Sequence, residues 1–119
     1  MAHLALTRRA LLDIRDIDTF SVTKWGQHVA GEYLDAIEEA LNRLRENPQL
    51  LRAKQDVSAS LCFYRVRQHF LVCAVYADSV FVLSVKHGAM DLPNRIKELE
   101  PQLLVEAEMM YKAYRKRRS

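Results

Sequence analysis

Apolar residues in the first half of the chain recur at the three-to-four spacing that is typical of amphipathic helices. Thr7 is suited to the N-cap of a first helix, and a second helix is marked from about Gln27 and ends at Asn47-Pro48. The apolar positions are Ala10, Leu11, Ile14 and Ile17 in the first helix and Ala30, Leu34, Ile37, Leu41 and Leu44 in the second. Two such helices joined by a short break predict an antiparallel hairpin whose apolar face needs a sheet to cover it.

The second half of the chain supplies the strands of that sheet. Residues 61–67, 69–77 and 80–86 are rich in Val, Phe, Tyr and Leu, and the breaks between them fall near Arg67-Gln68 and at Asp78-Ser79. This pattern predicts three antiparallel strands in a meander. Residues 4–6 predict an additional short strand at the start of the chain.

A last helix is predicted after Asp91. Leu92-Pro93 opens it, and Pro101 either kinks or restarts it. Its apolar line consists of Leu103, Leu104, Ala107, Met110, Tyr111 and Tyr114. This line must be buried against the chain's own sheet or hairpin, or against a partner subunit.

The order β-α-α-β-β-β-α predicts an α+β fold, in which an antiparallel β-sheet is packed by an N-terminal α-helical hairpin and followed by a C-terminal helix extension. We expect residues 1–99 and the extension, residues 100–119 with their basic tail, to form one domain. The chain has 119 residues, is 50% hydrophobic and contains only 3 Gly and 3 Pro. This composition favours one folded domain over disorder.

Composition also limits location and chemistry. No apolar run approaches the roughly 18 residues of a membrane helix, and residues 1–9 lack the charge order of a signal peptide, so we expect a cytoplasmic protein with no membrane partner. Two cysteines predict reduced thiols, with no metal and no cofactor. A turn between Arg67 and Gln68 would place Cys62 opposite Cys73 on neighbouring strands. That register leaves open a redox switch or a pair of buried neighbouring thiols.

The net charge of +3 is unevenly distributed. Residues 43–97 carry nine Lys/Arg and four Asp/Glu, and residues 112–119 carry five Lys/Arg and no acid. Residues 98–111 carry four acids and no Lys/Arg. A basic middle and a basic tail predict attraction to nucleic acid or to an acidic peptide, although the tail also suits a helix C-terminus, where cations are stabilised.

Several phrases, in this order, resemble the RelE/ParE superfamily of small bacterial toxins encoded beside an antitoxin. Residues 6–14, LTRRALLDI, resemble the family's entry into its first helix. Trp25-Gly26, followed by Ala30, Tyr33 and Leu34, is similar to the start of its second helix, and residues 64–66, YRV, to the entry into its central hairpin. Residues 85–96, VKHGAMDLPNRI, resemble the His-x-x-Met-Asp ending of ParE-type members. The resemblance spans about residues 4–97.

The resemblance implies a toxin held inactive by a cognate antitoxin, whose C-terminal segment wraps the toxin surface. RelE-like members cut messenger RNA on the ribosome, whereas ParE-like members inhibit DNA gyrase and are not hydrolases. A homodimer or a heterotetramer with the antitoxin is compatible with either branch.

The nuclease alternative needs a base, an acid and cations that stabilise charge on the phosphate. Besides His69, the residues available for it are Arg65, Arg67, Lys86 and His87. Arg65 and Arg67 share one strand face under two-residue alternation. RelE-like enzymes usually carry a further arginine shortly after the position of His87, where this chain has Gly88-Ala89-Met90. Cys62 stands where many members have an arginine. The departure after His87 favours the ParE-like branch, whereas Cys62 means that a role played by the family's arginine is not expected at this position.

We therefore predict a ParE-like toxin that is not an enzyme and that binds DNA gyrase and a cognate antitoxin. The residues predicted to contact the target or the antitoxin are Arg65, Arg67, Lys86, His87, Met90, Asp91 and Arg95. The alternatives are a RelE-like endoribonuclease acting on ribosome-bound mRNA, and a non-toxic binding module of the same fold. Trp25, beside Gly26, is predicted to anchor the helix junction on the core, with a surface role as the alternative.

Overall fold

The computed structural model describes residues 2–89 and 91–118. It confirms the predicted α+β fold class and the order of the predicted elements, to which it adds one short strand. The helices are α1 (Arg8–Trp25), α2 (Gln27–Glu46) and α3 (Leu92–Arg118), with a short 3-10 turn at Pro48–Leu50. The strands are β1 (His3–Leu6), β2 (Arg52–Lys54), β3 (Ser58–Val66), β4 (His69–Tyr76) and β5 (Ser79–His87).

The five strands form one sheet in the order β1-β5-β4-β3-β2. The meander of β3, β4 and β5 is antiparallel, as predicted. Two details differ from the sequence analysis. β1 pairs with β5 in parallel, so the sheet is mixed, and β2 adds an edge strand that its polar sequence, Arg52-Ala53-Lys54, did not indicate.

The helical hairpin covers one face of the sheet. Ala10 of α1 and Ile37 and Leu44 of α2 are buried against Leu71 and Val82 of the strands. Gly26, at φ 90°, joins the two helices, and its N–H donates to the carbonyl of Val22 at 2.9 Å. Glycine adopts this φ without the steric cost that a Cβ would bring, so α1 turns into α2 within one residue.

The C-terminal helix α3 covers the other face. Its buried residues Ile96, Leu103 and Ala107 pack with Phe63 and Phe81 of the sheet. Burying each large apolar side chain stabilises the fold by about 1.5–3 kcal/mol. α3 therefore packs on its own chain, which decides the question that its apolar line left open. Because the helix is continuous through Pro101, it is not restarted there.

Polar contacts attach α3 to three other elements. Arg9 of α1 donates two hydrogen bonds of 3.0 Å to the carboxylate of Glu106. The ring of Tyr114 stacks on His3 of β1 with 3.7 Å between centroids. Arg118 lies 3.5 Å from a carboxylate oxygen of Asp78 in the β4–β5 turn. In the part of the chain that the structure describes, no helix is long and apolar enough to cross a membrane.

Ala77→Gly is expected to raise the free energy of unfolding by about 0.5–1 kcal/mol, because Ala77 begins the β4–β5 turn at φ 54° and a Cβ is disfavoured in this left-handed region. Urea unfolding measures the change. The matched control is Ala59→Gly at an exposed position of β3. This substitution should lower the free energy of unfolding. Equal losses in both variants would contradict the assignment of strain to Ala77.

Candidate functional site

The turn between β3 and β4 is held against the helical hairpin. Val66 pairs with His69, so Arg67 and Gln68 form a two-residue turn. The backbone N–H of Gln68 donates to the hydroxyl of Tyr33 on α2 at 3.2 Å. The same hydroxyl is hydrogen-bonded to Nδ1 of His69. These contacts fix the turn beside α1 and α2 and leave a cavity between them.

This cavity, which we call the histidine cavity, has a volume of about 460 Å³. Its lining includes Phe20 and Trp25 of α1, Tyr33 of α2, Arg67 of the turn, and His69 and His87 at the ends of β4 and β5. It therefore joins aromatic side chains from the hairpin to the basic end of the sheet.

The two histidines are cross-strand neighbours. His69 pairs with His87, and their ring centroids are 5.0 Å apart. Burial, and then the nearby His87, lower the pKa of His69 to about 4, so His69 is uncharged at neutral pH. The N–H of Ala89 donates to Nδ1 of His87 at 2.9 Å. A neutral His87 therefore carries its proton on Nε2.

Gly88 follows the end of β5 and is hydrogen-bonded to the β3–β4 turn. Its N–H donates to the carbonyl of Gln68 at 2.7 Å, and a Cβ at this position would lie 3.0 Å from the ring of Phe70. A larger residue here would push the ring aside, which gives a packing reason for glycine at this position.

The two predicted arginines meet at the turn, although not on one strand face. β3 ends at Val66, so Arg67 lies in the turn at φ 52°. Nε of Arg65 donates to the carbonyl of Arg67 at 2.8 Å. Their guanidinium groups lie over aromatic rings, Arg65 over Phe70 at 5.3 Å and Arg67 over Tyr33 at 5.6 Å. The prediction of a shared strand face is wrong because the turn interrupts the alternation, but both cations remain exposed at one end of the sheet.

Lys86 forms an ion pair with a carboxylate of α1. Its Nζ lies 3.6 Å from Oδ2 of Asp13 on α1. The same oxygen accepts hydrogen bonds from the hydroxyl of Ser84 at 2.6 Å and from the N–H of Val85 at 3.0 Å. β1 ends opposite Val82, so Asp13 replaces a strand at the free edge of β5. Lys86 is accordingly partly neutralised, whereas Arg67 has no ion-pair partner within residues 2–89 and 91–118.

Two of the predicted residues, Asp91 and Arg95, lie apart from the histidine cavity. The carbonyl of Asp91 accepts from the N–H of Arg95 at 3.0 Å, and its carboxylate accepts from Asn94 at 2.5 Å. Asp91 thus lies immediately before α3 and accepts hydrogen bonds from its first turn. Together with Asp91, the exposed Arg95 lines a separate cavity of about 600 Å³. Met90 is outside the described residues.

Phe20 and Trp25 of α1 form an aromatic rim of the histidine cavity. The sequence pattern did not predict Phe20 there and gave a surface role for Trp25 only as the alternative. Trp25 is 51% exposed and Phe20 58% exposed, and their rings meet edge to face at 5.8 Å. The ammonium of Lys24 lies 5.0 Å from the ring centroid of Trp25. The prediction that Trp25 packs on the core is wrong, because its side chain lines the histidine cavity and is half exposed.

The predicted cysteine register is confirmed, since Cys62 lies directly opposite Cys73. Both thiols are free. Burial raises the pKa of each thiol, most strongly that of the fully buried Cys73. The arrangement is thus a pair of neighbouring protonated thiols at neutral pH. Within residues 2–89 and 91–118, no group of three His, Cys, Asp or Glu side chains is placed to hold a metal ion.

The sequence matches the family model described as "ParE toxin of type II toxin-antitoxin system, parDE" over residues 4–92. The chain belongs to the ParE toxin family. Toxin ParE of Escherichia coli is 24% identical over 99 residues, which cover 82% of this chain and 96% of that protein. The matched range of the ParE family contains every residue named above in the histidine cavity and excludes nearly all of α3.

Two solved structures are similar to this ParE-family chain. A structure titled "Chromosomal ParDE TA system from P. aeruginosa" aligns with a TM-score of 0.65 and 17% identity, covering 73% of this chain and 96% of the other. Free E. coli toxin RelE, in a mutant form, aligns with a TM-score of 0.47 and 21% identity, covering 92% and 98% of the two chains. The first similarity supports the ParE-like fold.

Proposed function

We propose that this toxin stops growth by binding DNA gyrase through the histidine cavity and its aromatic rim, and that a cognate antitoxin neutralises it by covering the same surface. The observation that carries the proposal is membership of the ParE toxin family over residues 4–92, a range that includes the whole cavity. The protein acts as a binding inhibitor in this proposal, with no covalent step.

The composition of the rim suits a protein target. Large aromatic side chains and arginines contribute most of the binding energy at many protein interfaces. Phe20 and Trp25 are exposed, and Arg67 lines the same cavity. An apolar anchor beside an unneutralised cation would give affinity through burial and orientation through charge.

Cleavage of RNA is less well supported by the same residues. Lys86 is partly neutralised by Asp13, and His69 is hydrogen-bonded to Tyr33. The backbone occupies Nδ1 of His87, which leaves Nε2 as its only nitrogen for proton transfer. The turn arginines remain available to phosphate, so the ribosome and mRNA are retained as the rival target.

The antitoxin is expected to combine an apolar helix with an acidic extended segment. The helix would cover the exposed apolar residues of the hairpin, and the acidic segment would lie along Arg65 and Arg67. Affinity should therefore fall with added salt but retain a salt-independent part. Such a complex would explain why the surface is exposed in the isolated toxin.

Induction of the chain without an antitoxin tests the proposal. We expect growth arrest, loss of negative supercoiling in a reporter plasmid and no new transcript ends. His87→Gln is included as the nuclease control. Transcript cleavage that disappears with His87→Gln would replace gyrase by mRNA as the target, and the absence of growth arrest would instead indicate a non-toxic binding module.

Trp25→Ala is expected to weaken gyrase inhibition by about tenfold or more, since truncation of a central aromatic anchor removes much of the binding energy. The inhibitory concentration in a supercoiling assay measures this effect. Because Trp25 is 51% exposed, the stability of the variant should change little. Val75→Ala is the matched control, as Val75 is 45% exposed and lies six residues along β4 from His69. Equal effects of the two substitutions would contradict the role of the aromatic rim.

A further inference from the structure

A second groove, of about 750 Å³, runs between α1 and α3. Leu12 of α1 and Met109 of α3 contribute apolar walls and are 44% and 66% exposed. Arg9 and Glu106 span the groove with their two hydrogen bonds of 3.0 Å. The α3 wall lies after residue 92, beyond the range matched by the ParE family. This groove is therefore built with a segment outside the part of the chain that defines the family.

The charges on the α1 wall follow a simple pattern. Arg8, Leu12 and Asp16 occupy successive turns of one row along the helix and line the groove. Asp13 and Arg9, in contrast, are already paired with Lys86 and Glu106. Among residues 2–89 and 91–118, the side chains of Arg8 and Asp16 have no hydrogen-bond or ion-pair partner. The groove thus presents one unpaired cation and one unpaired anion on either side of an exposed leucine.

We propose that a second copy of this chain fills the groove, with α1 of each copy lying antiparallel in the groove of the other and the two-fold axis passing beside Leu12. Arg8 and Asp16 are each four residues from Leu12. Reversal of the helix therefore places Arg8 of one copy against Asp16 of the other, and the symmetry forms this ion pair twice.

The packing of the same row favours a copy of α1 as the occupant. Rows of residues spaced by four interdigitate in the commonest class of helix packing, and Leu12 stands in the middle of this row. The contact would cover the exposed side chains of Leu12 and Met109, which both line the groove. A complementary helix needs an apolar residue with an acidic residue four positions to one side and a basic residue four positions to the other. α1 itself has that pattern.

Sedimentation equilibrium of the purified full chain tests the proposal. We expect a reversible dimer whose dissociation constant rises by about tenfold or more in Arg8→Asp and in Asp16→Arg, because each substitution places like charges together at two symmetric positions. The double variant should recover the affinity of the native chain. An equimolar mixture of the two single variants should form a heterodimer, since both ion pairs are restored between them.

Asp35→Arg, at an exposed position of α2, is the matched control. It should leave the dissociation constant of the dimer unchanged. Circular dichroism of each variant verifies that α1 remains folded. A chain that stays monomeric at hundreds of micromolar overturns the proposal and leaves the groove to a partner helix. A dimer that is indifferent to both charge reversals, or a double variant weaker than either single one, also overturns it.

Discussion

Asp13→Ala is expected to lower the free energy of unfolding by about 2–4 kcal/mol, because it leaves the hydroxyl of Ser84 and the N–H of Val85 without their acceptor. Both groups are hydrogen-bonded to one carboxylate oxygen of Asp13, at 2.6 and 3.0 Å, and Ser84 and Val85 are buried. Lys86 also loses its ion pair, but that pair is partly exposed and contributes less. Urea unfolding at neutral pH measures the total.

Two further variants separate these contributions. Asp13→Asn keeps an acceptor oxygen but removes the charge, so it should lie between the native chain and Asp13→Ala. Asp35→Ala, on the exposed side of α2, is the control and should change stability by no more than about 0.5 kcal/mol. If Asp13→Ala were no more destabilising than the control, the hydrogen bonds that Asp13 accepts at the edge of β5 would not stabilise the fold.

Acidification from pH 6.5 to pH 4 is expected to destabilise the protein by up to about 3 kcal/mol through His69 alone. The pKa of His69 is lowered from 6.5 to about 4 in the folded chain. Between these values the unfolded chain binds a proton at His69 and the folded chain does not, so stability rises with pH across the window and is lost as pH falls. Below about pH 4 the contribution of His69 stops changing.

His69→Gln tests this assignment because glutamine is polar but does not titrate. The groups that share the histidine cavity with His69 include Asp16, Tyr33, Arg67 and His87. Glu106, whose pKa is lowered by its hydrogen bond to Arg9, also reduces stability in acid, but it does so in both proteins. The difference in pH dependence between native chain and variant therefore isolates His69. Parallel stability profiles would show that His69 is not held neutral.

The sequence pattern predicted those elements whose signal is local. The three-to-four spacing of α1 and α2 and the apolar strands β3, β4 and β5 were sufficient for the fold class. The pairing of β1 with β5 depends on contacts between segments more than seventy residues apart in the chain, which periodicity does not encode. β2 has three residues and an exposed, polar sequence, so neither length nor composition distinguished it from a loop.

Some features of the candidate site could likewise be predicted from the sequence, and others could not. The position of the β3–β4 turn was enough to predict that Cys62 opposes Cys73. The resemblance covered His87, and Arg67 was selected as a cation in the sheet region. The role of Asp13 was not predictable, because an aspartate on an amphipathic helix has the sequence signature of a solvated face. The exposure of Trp25 was missed because its burial depends on the angle at which α2 leaves Gly26.

Binding of the purified chain to purified DNA gyrase, followed by biolayer interferometry, tests the central claim most directly. We predict saturable binding over the same concentrations that inhibit supercoiling, with Trp25→Ala weakened in both assays and Val75→Ala unchanged. A chain that arrests growth and cuts ribosome-bound mRNA, while showing no affinity for gyrase, would contradict the account.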